Sequence, residues 1–113
     1  MEISFANSKL QKLCNSANKL RGQYGPRMAE LIQQRLAELM DADTLEEMRT
    51  LPGAKCHELT QNLKGLLAVS LVYPDRLAFK PADSPLPRKP DGGLDWSRVK
   101  HIEIAGIGDY HDH

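Results

Sequence analysis

The run Leu66-Leu67-Ala68-Val69-Ser70-Leu71-Val72 decides the fold. It is apolar on both faces at a period of two, and a strand of that kind is stable only with neighbours on both sides of a covered sheet. The pattern therefore predicts the sheet centre over residues 66–73. Immediately after it, Pro74-Asp75 predicts a tight turn. Arg76–Lys80 then reads as an antiparallel partner, with Leu77 and Phe79 toward the core and Arg76 and Lys80 on the opposite face. Ala54–Leu59 before the run and Val99–Ile107 well after it complete the predicted strands. Pro81, Pro85, Pro87, Pro90 and Gly92-Gly93 leave the intervening stretch no regular structure, so it reads as a surface loop of roughly a dozen residues.

Toward the N-terminus the period changes. Glu2–Phe5 alternates, with Ile3 and Phe5 on one face, and predicts a short opening strand. Leu10, Leu13, Cys14, Ala17 and Leu20 recur at three- and four-residue intervals, the stripe of an amphipathic helix with Asn7 or Ser8 as N-cap. Gly22 and Gly25 bracket its end. Pro26 opens a second helix at the position that needs no N–H donor, carrying Met28, Leu31, Ile32, Leu36, Leu39 and Met40. Two helices so closely joined are expected antiparallel. Thr44-Leu45-Glu46-Glu47 has capping-box spacing and predicts a short helical turn that Pro52-Gly53 ends. The predicted architecture is α+β: two N-terminal antiparallel helices packed on one face of a small antiparallel sheet, as one domain over residues 1–113.

Composition narrows the function classes. With 41% hydrophobic and 27% charged residues, the chain is neither a disordered polar tail nor a collagen-like repeat. Fifteen cationic and fifteen anionic side chains cancel, so any nucleic-acid function rests on local charge and not on a global field. That local charge exists: Met1 to Met40 holds six basic and three acidic residues, whereas Asp41 to Asp75 reverses those numbers. Cys14 and Cys56 fit two buried thiols in a reducing compartment. No apolar run approaches the ~18 residues of a membrane span. A soluble, cytoplasmic protein without a membrane partner is expected.

The densest polar cluster is Gly108-Asp109-Tyr110-His111-Asp112-His113, directly after a predicted strand. Extended backbone would turn Asp109 and His111 to one face and Tyr110 to the other, with Gly106 and Gly108 able to break that register by a bulge. A solvated, frayed end is the ordinary alternative. His57 lies in Lys55-Cys56-His57-Glu58-Leu59, with Lys55 and His57 on one side of the predicted strand. Singly, a strand histidine or an edge arginine is commonplace. Together, Lys55, Arg76, Lys80, His57, His111 and Asp109 could cleave a phosphodiester, which needs a base for a ribose 2′-OH, an acid for the leaving oxygen and fixed positive charge on the phosphate. Zinc is the competing use of His57, Cys56 and the terminal histidines, but no CxxC or HExxH spacing occurs. Neither cysteine sits in a nucleophile context, and no glycine loop precedes a helix as a phosphate cradle would.

These motifs resemble the HigB-like (plasmid maintenance killer) toxins of the RelE/ParE superfamily. The resemblance runs through Lys19-Leu20, Tyr24-Gly25, Arg35-Leu36, Leu39, Thr44-Leu45 and Cys56-His57-Glu58-Leu59. It continues in Arg76-Leu77-Ala78-Phe79-Lys80-Pro81, Asp91-Gly92-Gly93-Leu94-Asp95-Trp96, Val99, Ile102-Glu103-Ile104 and Asp109-Tyr110-His111. The helical pieces are weakly specific; the ordered His-x-Leu strand, Arg-Leu-x-Phe strand and terminal Asp-Tyr-His are more so. The resemblance implies a RelE-like fold and a metal-independent endoribonuclease that enters the ribosome and cleaves messenger RNA, with no cofactor. It implies catalytic roles for His57, Asp109, Tyr110 and His111 and RNA or phosphate contacts for Arg76, Lys55 and Lys80. Its partners would be the ribosome, mRNA and a cognate helix-turn-helix, HigA-like antitoxin. Other superfamily members act without catalysis on a protein target such as DNA gyrase, which is the alternative.

Overall fold

In the computed structural model, which describes residues 1–111, the chain runs β1 (Glu2–Phe5), α1 (Ser8–Cys14), α2 (Ala17–Tyr24), α3 (Pro26–Asp41), β2 (His57–Glu58), β3 (Leu67–Ser70), β4 (Arg76–Pro81) and β5 (His101–Gly108). Short 3-10 turns cover Leu45–Thr50, Gln61–Leu63 and Trp96–Arg98. The α+β expectation holds. Five strands form one sheet in the order β1-β5-β4-β3-β2, so the centre expected for residues 66–73 is taken by β4, while β3, shortened to Leu67–Ser70, lies between it and the two-residue edge strand β2.

Two features differ from the expected architecture. The sheet is mixed, because β1 pairs parallel to β5, Ile3 opposite Ile102 and Phe5 opposite Ile104. Pairing the two ends of a chain is a non-local event that no local periodicity encodes. The first predicted helix is also two helices, giving three where two were expected. Asn15 closes α1 by donating its N–H to Gln11 O and Leu13 O, and Ser16 takes an extended conformation and accepts the Lys19 N–H on its hydroxyl at 3.2 Å. A serine able to cap outcompetes continuation of the helix, although the apolar stripe runs through the break. Gly25 alone then separates α2 from α3, at φ 84°, and Pro26 stands at the first helical position.

The helices cover one face of the sheet. Leu67, Val69, Leu77, Phe79, Ile102 and Ile104 pack with Leu20, Met28, Ala29, Ile32 and Leu39 in a single apolar cluster. Phe79 is fully buried there, a burial that stabilises by roughly 2–3 kcal/mol. The predicted strand over Ala54–Leu59 shrinks to His57–Glu58, because Lys55 sits at φ 48° and ends the extended run. Arg35 ties this loop to the sheet. It is buried, donates Nε to Ser70 O and Nη2 to Gly53 O, both at 2.8 Å, and pairs with Glu38 at 2.9 Å. None of the described helices is long and apolar enough to cross a membrane.

Candidate functional site

The face of the sheet away from the helices holds the site. Register aligns His57 with Ala68, Ala68 with Ala78, and Ala78 with Gly106, so one row crosses four strands. Cross-strand partners share a face, and strands lie ~4.8 Å apart, so His57 and Gly106 stand about 14 Å apart at the backbone. The floor between them is made of two methyl groups and a glycine. Ala68 and Ala78 are nonetheless fully buried, since such short side chains lie below taller neighbours. The row is a trough between taller neighbours, closed to solvent at both alanines, with an imidazole at one end.

Tyr110 forms the other end. β5 bulges where the register shifts: Phe79 faces Ile104 and Ala78 faces Gly106, leaving Ala105 without a partner. Beyond Gly108 the backbone turns, Tyr110 N–H donating to Gly108 O at 3.1 Å, and the tyrosine ring lies over Gly106. The extended tail, with Tyr110 facing away from Asp109 and His111, is thus replaced by a fold-back onto the sheet. Arg76, on the trough side of β4 and opposite Gly108, donates Nη1 to Tyr110 O at 2.8 Å and holds the segment down. Asp112 and His113 lie outside the described residues, and with them part of the donor set of the zinc reading. Among the described residues no group of three or more His, Cys, Asp or Glu side chains could hold a metal.

Both imidazoles are held by the same ring atom. His57 Nδ1 lies 2.8 Å from Lys55 O, and His111 Nδ1 contacts the Asp109 carboxylate. A carbonyl and a carboxylate only accept, so Nδ1 carries the hydrogen in each ring and Nε2 is the atom left for chemistry. That makes either ring competent as a base when neutral and as an acid when protonated.

The remaining expected residues fall as follows. Lys80 shares the trough face but pairs with Glu103 at 3.5 Å, toward the far end of β4. Lys55 does not stand beside His57 on a strand as expected. Its left-handed backbone instead aims its carbonyl at the imidazole, and its side chain is exposed. His57 makes no hydrogen bond to Asp109, Tyr110 or His111 among the described residues; it faces them across the alanine floor.

Three residues join the site unforeseen. Tyr73, 87% exposed in the β3–β4 turn, meets the His111 ring edge-on at 6.0 Å and 69°. Tyr24, from the end of α2, has its phenol pKa raised by burial and then by Cys14, Asp75 and Tyr110, which lie within electrostatic range of it. The only sequence signal for Tyr73 was its position before Pro74 in a turn; exposure itself leaves no local trace. No family model, curated protein or solved structure matches this chain.

Proposed function

We propose that this chain is a HigB-like toxin of a two-gene toxin–antitoxin system: a metal-independent endoribonuclease with a RelE-like fold that cleaves messenger RNA on the ribosome. The observation that carries the reading is the pair of Nδ1-anchored imidazoles, His57 and His111, with Arg76 bonded to the backbone of the segment that bears His111. His57 Nε2 takes the proton of a ribose 2′-OH, and the freed oxygen attacks the adjacent phosphorus. The P–O5′ bond breaks, and His111, entering as imidazolium, gives its Nε2 proton to the departing oxygen. The products are a 2′,3′-cyclic phosphate and a 5′-hydroxyl, with no net proton consumed. Arg76 faces the charge that builds on the phosphoryl oxygens, and Tyr110 offers a ring against which a base can stack. Asp109 holds His111 in the required tautomer.

A helix-turn-helix antitoxin is the expected neutralising partner. The test is induced expression in a bacterium lacking that partner, followed by mapping of RNA ends. Growth arrest with cyclic-phosphate ends inside messages, lost in both His57→Ala and His111→Ala, is the expected result. Arrest with intact messages and indifference to His111→Ala would overturn it in favour of a non-catalytic toxin acting on a protein such as gyrase.

A further inference from the structure

Between Glu2 and Glu30 the chain carries five cationic side chains and no carboxylate. In a protein of zero net charge this is strong segregation, and the fold concentrates it further. α1 and α2 flank a groove of about 640 Å³ lined by Lys9, Lys12, Lys19, Leu13 and Gln23, with Ala105 from the sheet in its wall. Among the described residues, none of the three lysines is in an ion pair. The groove therefore offers three solvated ammonium groups over a partly apolar surface.

Its position matters more than its charge. Ala105 is the bulged residue of β5, and Gly106, the next residue, is the floor under Tyr110. At the other wall the Gln23 amide donates to the Tyr24 hydroxyl at 3.3 Å. The groove wall thus adjoins the Gly106–Tyr110 contact through Ala105. A ligand that follows this path carries repeated negative charge and flat faces.

We infer that the α1–α2 groove is a second subsite for the same RNA strand, in which Lys9, Lys12 and Lys19 take phosphates flanking the scissile bond. The inference rests on the ribonuclease reading for its substrate. Lysine ammonium groups on long, mobile stems suit phosphates at variable positions, and continuity with the trough favours a strand leaving the site over an acidic protein segment.

The test uses a fluorescent single-stranded RNA of about twelve nucleotides, 2′-O-methylated throughout so that it cannot be cleaved. Binding to the full chain is followed by anisotropy across a salt series. The triple variant Lys9→Gln, Lys12→Gln, Lys19→Gln should bind at least about tenfold more weakly at low salt. The slope of log K against log salt should shrink by about 2, three contacts at ~0.7 each. Lys64→Gln, Lys89→Gln, Lys100→Gln, with the same loss of net charge, should stay within about threefold of the parent. Equal weakening in both triples, no weakening in the groove triple, or a parent that binds polyglutamate and not RNA would each overturn the subsite. Since the probe cannot react, groove binding without cleavage of natural RNA would sink the ribonuclease and leave the subsite standing. Cleavage that is indifferent to the groove triple, with unchanged binding, would do the reverse.

Discussion

The ring of Tyr110 lies so close over Gly106 that a Cβ at that position would overlap the phenol oxygen. The glycine is there to admit the tyrosine, and with it the fold-back of the segment that carries Asp109 and His111. Gly106→Ala should displace Tyr110 and cut cleavage by ~10²-fold or more, the worth of a positioned acid or base. The tyrosine can swing outward, so stability should fall by only ~1–2 kcal/mol. Tyr110→Phe in the same chain removes the overlapping oxygen, leaving the ring carbon at an acceptable 3.4 Å, and should restore part of the activity. A Gly106→Ala protein that cleaves like the parent would show that the fold-back has no part in the reaction.

Arg35 supplies the stability prediction. Its guanidinium is buried and serves the carbonyls of Gly53 and Ser70 together with Glu38. Arg35→Met keeps the aliphatic bulk and leaves those acceptors without their donor, which should cost roughly 3 kcal/mol. That is on the order of 10 °C in Tm for a domain of this size. A melting temperature within about 2 °C of the parent would mean that water replaces the guanidinium.

The thiols make stability fall at alkaline pH. Burial pushes Cys14 up to about 11 and Cys56 up to about 12, the latter despite an opposing pull from Arg49. The folded state thus holds these protons more tightly than the unfolded chain, whose thiols ionise near 9.0. The resulting stability is complete below pH 9 and is lost as pH rises from there through 11 and 12. Urea midpoints should accordingly drop between pH 8 and pH 10.5, and the drop should be smaller in Cys14→Ala, Cys56→Ala. An equal drop in that variant would assign the alkaline sensitivity to other groups.

How far these features were legible in the sequence follows from how local each one is. β3 and the Leu77/Phe79 face could be read because alternation and two-sided burial are properties of consecutive residues. The Ser16 break was hidden by a stripe that continues through it, and the parallel β1–β5 pair joins residues that no window spans. At the site, residue types pointed to His57, Arg76 and Asp109–His111. The trough itself depends on Ala68, Ala78 and Gly106, whose contribution is their smallness once register aligns them. Tyr73 and Tyr24 enter through tertiary proximity alone.

Lys55 gives the sharpest test of that distinction. Its side chain was expected to hold a phosphate, whereas its left-handed backbone directs a carbonyl to His57 Nδ1 at 2.8 Å. A non-glycine residue at such φ costs about 1 kcal/mol, so Lys55→Gly should hold stability or raise it by up to that amount. The substitution removes the ammonium group and keeps the carbonyl. If the carbonyl is what matters, His57 should remain the Nδ1–H tautomer by nitrogen NMR, and cleavage should stay within about threefold of the parent, far from the ~10²–10⁴ worth of a general base. Lys55→Pro, which forbids positive φ, should turn the carbonyl away, mix the two tautomers and lower the rate toward that of His57→Ala. A folded Lys55→Gly protein with an unchanged tautomer but a rate lowered ~10²-fold would return the role to the ammonium, as a phosphate contact in the transition state.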